Sequence, residues 1–248
     1  MVDCNGHERG EVAGGPDVSV VLPTYNEAEN VPRLVPRICE ALQRAGIGGE
    51  VIVVDDHSPD GTAELARGLA AELPVRVQLR TGERGLAAAV LAGFALSSAT
   101  ACVVMDADGS HPPESLPEMV RPILEGRADV VVGSRYMEGG SMPGWPWRRR
   151  MMSRGAGLLA RGLTRSSDPT SGFMAARRDL LEELHLEPVG FKIVLEVLAR
   201  ARGARVEEVP IAFTDRRFGR SKMSGGVLLK YLRHLGRLYR FRYLGSRD

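Results

Sequence analysis

Residues 103–113 read VVMDADGSHPP, an apolar run that ends in two carboxylates. The run from Ala101 to Met105 predicts a buried strand, and Asp106 and Asp108 follow it directly. In an open α/β sheet, ligands bind beyond the carboxyl ends of the strands. Oxygen ligands at such an end suit Mg²⁺ or Mn²⁺, which also holds the phosphates of a substrate. The alternative is an Asp-rich turn that caps the following helix, and the acidic pair alone does not decide between the two.

Strands and helices alternate through the first half of the chain. Such alternation implies parallel strands joined by βαβ crossovers. We therefore predict an α/β fold with a Rossmann-like, mostly parallel sheet flanked by helices. The predicted strands are residues 17–22, 51–54, 75–79, 101–105 and 128–132. The predicted helices are residues 27–44, 63–73, 85–97 and 113–125.

The second half has a Gly-rich loop, a basic loop and fewer strands. Its predicted helices are residues 148–163, 179–184, 191–202 and 227–242, and its predicted strand is 205–213. For the whole chain, we expect a disordered tail at residues 1–16, one globular domain at 17–226, and an amphipathic helix with a short tail at 227–248.

The composition is that of a globular protein. Apolar residues make up 44% of the 248 residues and charged residues 26%, which is ordinary for a single domain of this length. The sequence contains no run of about 18 apolar residues, so no transmembrane helix is predicted. It also has no apolar segment near the N-terminus that would predict a signal peptide. The three cysteines are odd in number and scattered, which favours a reduced, cytoplasmic setting over a disulfide framework.

The net charge of +2 hides an asymmetry between the two halves. Residues 1–138 contain 11 Arg and no Lys against 21 Asp and Glu, a net charge of −10. Residues 139–248 contain 22 Lys and Arg against 10 Asp and Glu, a net charge of +12. An acidic half can hold a metal, and a basic half indicates an anionic partner such as phosphate, nucleic acid or a lipid surface. Nucleic acid is disfavoured, because aromatic residues are only 5% and no RNA-binding signature is present.

Three of the predicted strands are followed directly by segments that contain carboxylates. Residues 23–27 (PTYNE) offer an aromatic ring and a carboxylate that could stack on and hydrogen-bond a nucleobase, or could simply begin a helix. Asp55 and Asp56 follow the second strand, in a turn where Asp60 has the sequence context of a helix cap. With the acidic motif at 106–108, these strand ends predict one nucleotide and metal site at the sheet edge. No G-x-G-x-x-G or Walker A motif is present, so metal and basic side chains would have to neutralise a diphosphate.

Nine short motifs follow one another along the chain. They are VVLPTYNE (20–27), VVDDHSPDGT (53–62), VMDAD (104–108), HPP (111–113), GSRY (133–136), SRGA (153–156), DPTSGF (168–173), GFKIVLE (190–196) and RRFGRSKM (216–223). In order and spacing, these motifs resemble the family 2 glycosyltransferases, and within that family most closely the dolichyl-phosphate (polyprenyl-phosphate) mannose synthases. The resemblance covers about residues 17–240.

The resemblance implies a GT-A fold, a sugar nucleotide donor and a set of site residues. Those that would line the nucleoside are Pro23, Tyr25, Glu27, Val54 and Asp56. Those that would face the diphosphate and sugar are Asp106, Ala107 and Asp108, and those that would hold phosphates are Arg135, Arg216 and Lys222. The implied metal ligands are Asp106 and Asp108, with Ser110 where some relatives have Gln as a further ligand. The implied catalytic set is Asp106, Asp108 and Arg135.

The resemblance further implies transfer of mannose from GDP-mannose to a polyprenyl phosphate, with Mg²⁺ or Mn²⁺ as cofactor. Departure of the nucleoside diphosphate builds negative charge, which a divalent ion and basic side chains stabilise. The acceptor phosphate is largely dianionic near pH 7, because its second pKa is about 6, and its in-line attack would invert the anomeric centre. A second interpretation keeps the fold but uses UDP-glucose or another donor. A third is a non-catalytic module that binds nucleotide or membrane.

A lipid acceptor implies a membrane surface as a partner. The chain resembles the short forms without a membrane-spanning tail, which dock on the cytoplasmic face of a membrane or use a separate anchoring subunit. Residues 145–152 have a suitable composition, since Trp145 and Trp147 adjoin three Arg. The amphipathic helix at 227–242 could lie on the membrane or pack on the domain core. The basic loop at 214–223 is predicted to act as a lid over the diphosphate.

Overall fold

The computed structural model describes residues 15–82, 84–187, 192–215 and 225–245, without the side chains of residues 225–227. Most of the predicted N-terminal tail lies outside these ranges, and so does most of the predicted lid at 214–223. Arg216 and Lys222, two of the predicted phosphate ligands, therefore lie outside the described residues.

The described residues form a seven-stranded sheet with the strand order β3-β2-β1-β4-β6-β5-β7. The strands are β1 (Val18–Thr24), β2 (Gly49–Asp55), β3 (Val75–Leu79), β4 (Ala101–Val104), β5 (Val130–Ser134), β6 (Met174–Arg177) and β7 (Val206–Pro210). β6 runs antiparallel to both of its neighbours, and the other pairings are parallel. The predicted α/β fold with a mostly parallel sheet is therefore confirmed.

β6 is the strand that the sequence pattern does not reveal. Its residues, Met-Ala-Ala-Arg, include no β-branched or aromatic side chain, so local propensity does not favour a strand. Tertiary pairing decides instead, because Ala175 lies opposite Val103 of β4 on one side and Val131 of β5 on the other. For this reason β6 is not among the strands predicted from the sequence.

Helices cover both faces of the sheet. They are α1 (Val31–Arg44), α2 (Thr62–Leu69), α3 (Leu86–Leu96), α4 (Leu116–Leu124), α5 (Trp147–Leu159), α6 (Arg178–Glu183), α7 (Ile193–Arg200) and α8 (Gly225–Leu244). α1 and α4 belong to the apolar cluster on one face, and α3, α6 and α7 to the cluster on the other. β1 is consequently buried at every position, as expected for a parallel sheet covered on both sides.

The first helix begins four residues later than predicted. The sequence suggests a start at Glu27, but α1 begins at Val31 and has no acidic residue in its first turn. Asn26 has a φ of 61°, and the Glu27 carbonyl accepts hydrogen bonds from the N–H groups of Asn30 and Val31, both at 3.0 Å. The resulting turn keeps Glu27 on the loop after β1, at the edge of the sheet.

The C-terminal helix α8 packs on α5 and α7 through one face. Tyr231, Leu235 and Leu238 are buried in a third apolar cluster, and the Tyr231 hydroxyl donates a 2.6 Å hydrogen bond to the Ala156 carbonyl. The exposed leucines of the helix are Leu228, Leu229, Leu232 and Leu244. The interpretation as a helix packed on the core is therefore confirmed for one face, and membrane contact of the exposed face stays a prediction. The helix begins at Gly225, two residues before the predicted boundary.

A charge cluster joins α7 to α8. The fully buried Glu196 carboxylate accepts 3.0 Å hydrogen bonds from Arg200 Nε and from the backbone N–H of Glu187. Arg237 of α8 contacts Glu187 and lies 3.6 Å from Glu196. Buried His234 lies beside Arg237. Burial raises the pKa of Glu196 to about 7, against the attraction of Arg200, and burial lowers the pKa of His234.

We expect Glu196→Gln to remove part of the pH dependence of stability. Because the pKa of Glu196 is raised from 4.5 to about 7, its stabilising contribution is complete in acid and is lost as the pH rises through about 7. The stability of the parent relative to the variant should therefore fall between about pH 5 and about pH 8. Thermal unfolding midpoints of both proteins across this range measure the effect.

The other charged groups of the cluster are common to both proteins. The lowered pKa of His234 acts in the opposite direction, since it removes stability as the pH falls below 6.5. Arg200, Arg237 and Glu187 are also unchanged, so the difference between parent and variant isolates Glu196. A difference that stayed constant with pH would contradict the prediction.

Candidate active site

The carboxyl ends of β1, β2 and β4 meet at one edge of the sheet, because these strands are parallel neighbours. The first two loops after them are tied together. The Asn26 N–H donates to Ser58 Oγ at 2.9 Å, and the Glu27 N–H donates to Thr62 Oγ1 at 3.0 Å. The structure thus brings the three predicted strand ends together.

The predicted nucleoside residues lie at the ends of β1 and β2. Pro23 and Val54 are partners in the β1–β2 register and are buried. Asp56 is also buried, and its carboxylate accepts a 2.8 Å hydrogen bond from the backbone N–H of Gly85, just before α3. Tyr25 is partly exposed on the loop after β1. These residues therefore lie at the carboxyl ends of the strands, the edge of an α/β sheet at which ligands bind.

Two arginines at this edge are not among the predicted residues. Arg80, just after β3, forms an ion pair with Asp56. Arg84 donates a 2.7 Å hydrogen bond to the Tyr25 hydroxyl, and its guanidinium lies 4.4 Å from the ring centroid. Both follow the end of β3, so the rule that points to Asp56 could also have found them. They bring positive charge to the predicted nucleoside residues.

The acidic motif follows β4. Asp106 is partly exposed, Asp108 is buried, and the Ala107 side chain packs in the core. Asp108 Oδ1 accepts a 3.0 Å hydrogen bond from the Ser110 N–H. The buried Ser110 Oγ has no hydrogen-bond partner among the described residues. The side chains at this position that could bind a metal ion are therefore two carboxylates and one hydroxyl, and all of them offer oxygen atoms.

Gly172 allows a second loop to approach the acidic motif closely. A Cβ atom at this position would lie 2.9 Å from Asp106 Oδ2 and 3.1 Å from His111 Cε1. The first separation is shorter than real Cβ contacts. The loop at 168–173 can therefore reach the Asp106 carboxylate only because position 172 lacks a side chain.

His111 fixes the backbone at the acidic motif. Its Nδ1 accepts a 3.1 Å hydrogen bond from the Asp106 N–H. Its ring stacks on Phe173 and meets the edge of Phe213, with centroids 5.2 Å apart in each case. Burial lowers the pKa of His111, which favours the neutral ring that this hydrogen bond requires. His111 is the first residue of the HPP motif, but the motif does not reveal this positioning role, because the role depends on tertiary contacts.

A buried ion pair joins Arg135, at the end of β5, to Asp168. Arg135 Nε and Nη2 donate to the two carboxylate oxygens of Asp168 at 2.7 and 2.8 Å, and the Arg135 N–H adds a third bond at 3.1 Å. Asp168 is fully buried and Arg135 is only 7% exposed. From the sequence alone, Asp168 could either orient the acceptor or cap a turn. The fold shows that it holds the Arg135 guanidinium in one orientation.

Lys192, just before α7, binds the loop that carries Asp168. Its Nζ donates a 2.9 Å hydrogen bond to the Thr170 carbonyl. Burial, together with repulsion from Arg135, lowers the pKa of Lys192 to about 8. The charges of Asp106 and Asp168 act in the opposite direction. Its sequence signal is a lysine placed directly before the apolar helix α7, within the GFKIVLE motif.

A cleft of about 350 Å³ opens beside Arg135. Arg150 and Arg154 also line this basic cleft, and none of its described lining residues is acidic. Arg150 Nη2 donates to the Met142 carbonyl at 2.8 Å, and the Arg154 guanidinium lies 5.6 Å from the Tyr136 ring centroid. Three guanidinium groups around one cleft are suited to binding an anion.

The two tryptophans have different surroundings. Trp145 is buried, meets Phe213 edge-on at 5.3 Å between centroids, and has the Arg149 guanidinium 3.8 Å from its centroid. The prediction that Trp145 contacts a membrane is therefore wrong. Trp147, on the first turn of α5, is 69% exposed.

The exposed apolar side chains of α5 and of the first half of α8 are here called the apolar surface. They are Trp147, Met151, Met152, Leu158 and Leu159 of α5, and Leu228, Leu229 and Leu232 of α8. In the part of the chain that the structure describes, no helix combines the length and the apolar content needed to cross a bilayer.

The fold and the acidic motif after β4 define the class as a GT-A glycosyltransferase. One similar structure is glucosyl-3-phosphoglycerate synthase from Mycobacterium tuberculosis with Mn²⁺, UDP and phosphoglyceric acid, at a TM-score of 0.69 and 23% identity, covering 94% of this chain and 80% of that one. Another is a mannosyltransferase from Pyrobaculum calidifontis with GDP-Man and Mn²⁺, at a TM-score of 0.64 and 21% identity, covering 95% of this chain and 66% of that one. At these identities the likeness establishes the fold.

The chain belongs to glycosyl transferase family 2, whose model matches residues 19–185. The dolichol-phosphate mannosyltransferase of Pyrococcus furiosus is 44% identical over 228 residues, which cover 90% of this chain and 64% of the relative. The polyprenol monophosphomannose synthase of Mycolicibacterium smegmatis is 44% identical over 218 residues, which cover 83% of this chain and 80% of the relative. The chain thus spans less than two thirds of the archaeal relative's length. The family resemblance seen in the sequence is confirmed.

Proposed function

We propose that this chain transfers mannose from GDP-mannose to a polyprenyl phosphate of the dolichyl type, in a metal-dependent, inverting reaction at a membrane surface. One observation carries the proposal: the loop at 168–173 contacts the acidic motif at Gly172 and holds Arg135 of the basic cleft through Asp168. A metal-bound diphosphate and an anionic acceptor could therefore be held next to each other. The names of the two relatives at 44% identity support mannose and polyprenyl phosphate as the substrates.

The acidic motif fits Mg²⁺ or Mn²⁺. Among the described residues, no group of three or more His, Cys, Asp or Glu could hold a metal alone. These ions, however, keep much of their coordination for water and substrate phosphates. We assign Asp106 and Asp108 to the metal, with the unpartnered Ser110 Oγ as a further oxygen ligand. When bound, the ion would offset the negative charge of the departing diphosphate.

The nucleoside of the donor would lie at the ends of β1 and β2. The proposed contacts are Pro23, Tyr25, Glu27, Val54 and Asp56. Tyr25 offers an aromatic face for the base, and the Glu27 and Asp56 carboxylates can accept hydrogen bonds from base or ribose. Ala107 lies beside the proposed metal ligands, as a neighbour of the diphosphate and sugar. Arg216 and Lys222, outside the described residues, stay proposed as diphosphate ligands.

The acceptor phosphate would occupy the basic cleft. Its second pKa is about 6, so it is largely dianionic near pH 7 and acts as the nucleophile with little help from a base. Arg135, Arg150 and Arg154 would offset its repulsion from the donor diphosphate, with Lys192 adding positive charge at the acidic motif. Attack opposite the leaving group inverts the anomeric carbon.

Nucleotide binding tests the donor half of this proposal. With Mn²⁺ present, GDP should bind more tightly than UDP or ADP. Isothermal titration calorimetry with the three nucleotides measures this without any lipid. Tighter binding of UDP would favour the alternative donor, UDP-glucose, and equal binding of all three would refute a guanine-selective site.

We also propose that the apolar surface rests on the cytoplasmic face of a membrane, with or without a separate anchoring subunit. α5 carries part of this surface and also Arg150 and Arg154 of the basic cleft. An acceptor phosphate could therefore reach the cleft while its polyprenyl chain stays in the lipid.

Replacing Trp147, Met151 and Met152 together with Ser should weaken vesicle binding and transfer to a membrane-borne acceptor by about tenfold or more, because apolar area at the lipid boundary is lost. The three side chains are exposed, so the thermal unfolding midpoint should not change. Co-sedimentation with lipid vesicles measures binding. Leu65→Ser, at an exposed position of α2, is the matched control. Unchanged sedimentation of the triple variant would remove α5 from the membrane contact.

A further inference from the structure

A second cleft, of about 680 Å³, shares no lining residue with the basic cleft. It opens between the turn after α5 at 161–166, the connection from α7 to β7 at 201–206, and Arg242 near the end of α8. We call it the helix-end cleft. Its volume lies within the range of small-molecule sites, about 300–1,000 Å³.

The helix-end cleft is strongly basic. The arginines that line it are Arg161, Arg165, Arg202 and Arg242. Among its described lining residues, the one acidic side chain is Glu208. Glu208 Oε1 already accepts hydrogen bonds from Ser166 Oγ at 2.6 Å and from the Ser167 N–H at 2.7 Å. The lining side chains therefore carry a formal excess of positive charge.

Helix capping accounts for only one of these arginines. Arg202 Nη2 donates to the carbonyls of Phe241 and Arg242, at 2.9 and 2.8 Å, in the last turn of α8. The Tyr239 hydroxyl of α8 donates at 2.8 Å to the last carbonyl of α5, and the Tyr243 hydroxyl donates at 2.9 Å to the Gly162 carbonyl in the turn after it. The carbonyl groups that would repel an anion are thus partly satisfied. Within the described residues, Arg161, Arg165 and the Arg242 side chain have no carboxylate within 4.0 Å.

Exposed apolar side chains stand at the ends of both helices. Leu158 and Leu159 are exposed at the end of α5, and Tyr243 and Leu244 are 66% and 75% exposed at the end of α8. Leu158 and Leu159 belong to the apolar surface, so the helix-end cleft adjoins the proposed membrane contact. An anion in the cleft would have apolar groups nearby, and a phospholipid combines these two chemistries.

We propose that the helix-end cleft binds the headgroup of an anionic phospholipid that is not the acceptor. The inference rests on the proposed docking of the apolar surface on a membrane. Arginine binds phosphate through paired hydrogen bonds, and Arg161, Arg165 and Arg242 are the residues assigned to it. α5 connects this cleft to the basic cleft, and Arg150 to Leu159 span about 14 Å along the helix. A headgroup held at one end of α5 would therefore orient the acceptor cleft at the other end toward the bilayer.

Co-sedimentation of the full chain with two kinds of vesicle tests the proposal. One is pure phosphatidylcholine, and the other also contains phosphatidylglycerol; neither lipid is an acceptor. The variant Arg161→Gln, Arg165→Gln, Arg242→Gln should lose about tenfold or more of its binding to the anionic vesicles. It should bind neutral vesicles and GDP as the parent does. The control variant Arg33→Gln, Arg44→Gln, Arg67→Gln loses the same charge from α1 and α2 and should lose less than about twofold.

Three results would overturn the proposal. Unchanged binding of the first variant would do so, and so would an equal loss in both triple variants, because only net charge would then matter. Competition by glycerol 1-phosphate at the same phosphate concentration would assign the cleft to a soluble phosphate. If the triple variant does not fold, Arg161→Gln alone alters one exposed side chain and allows the same comparison. A parent that binds these vesicles as expected but transfers no mannose would refute the proposed function and leave this inference standing.

Discussion

Asp108→Asn is expected to abolish most mannose transfer while the fold stays intact. The amide keeps the shape of the side chain and can still accept the hydrogen bond from the Ser110 N–H. It removes a negative charge that a hard divalent cation requires. A metal ion supplies several kcal/mol of transition-state stabilisation, so we expect kcat/KM to fall more than about a hundredfold. Mannose transfer at saturating Mn²⁺ measures the loss, and the thermal unfolding midpoint reports on the fold.

Asp60→Asn is the matched control for this substitution. Asp60 accepts 3.1 Å hydrogen bonds from the N–H groups of Ala28 and Thr62, so its visible role is to form a turn. We expect the Asp60 variant to retain most of the transfer. If Asp108→Asn stayed within about twofold of the parent at saturating metal, Asp108 would not be a metal ligand.

Asp168→Ala is expected to destabilise the protein by about 3–5 kcal/mol, because it leaves a buried guanidinium without its partner. The Asp168 carboxylate is fully buried and accepts three hydrogen bonds from Arg135 at 2.7–3.1 Å. Denaturant unfolding measures the loss. The midpoint denaturant concentration should fall, and the slope of the unfolding free energy against denaturant concentration should stay similar. Under conditions where the variant is still folded, transfer should also fall, because Arg135 is no longer held beside the basic cleft.

Glu114→Ala supplies the comparison, because it breaks an arginine–carboxylate contact at the surface. Arg37 Nη2 lies 2.7 Å from the Glu114 carboxylate, and both side chains are more than half exposed. Exposed pairs contribute about 0–1 kcal/mol, so the free energy of unfolding should change little. A loss for Asp168→Ala no larger than the loss for Glu114→Ala would contradict a stabilising role for the buried ion pair.

The part of the site that would bind the sugar nucleotide, at the ends of β1, β2 and β4, could be predicted from sequence. It depends on local patterns and one topological rule. Apolar runs that end in Asp56 and in Asp106 identify two strands, and parallel strands place their carboxyl ends at the same edge. The same rule applies to the loop at 23–27. Tight turns at these ends, with Asn26 and His57 at positive φ, are then short enough to keep the motifs together.

The acceptor side could not be predicted in the same way, because it depends on contacts between distant segments. Arg135 and Asp168 meet only because β6 inserts between β4 and β5 and directs the loop at 168–173 back to the acidic motif. Trp145 and Trp147 are two residues apart, yet one is buried and the other exposed. Extended Pro146 and the start of α5 at position 147 separate them, and composition alone does not show this.

The most direct test of the proposed function is a transfer assay with polyprenyl phosphate as acceptor and GDP-mannose or UDP-glucose as donor, with and without EDTA. The proposal predicts a β-mannosyl lipid phosphate from GDP-mannose, no product in EDTA, and recovery when Mn²⁺ is added back. Faster transfer from UDP-glucose, or a rate from GDP-mannose that EDTA does not change, would contradict it.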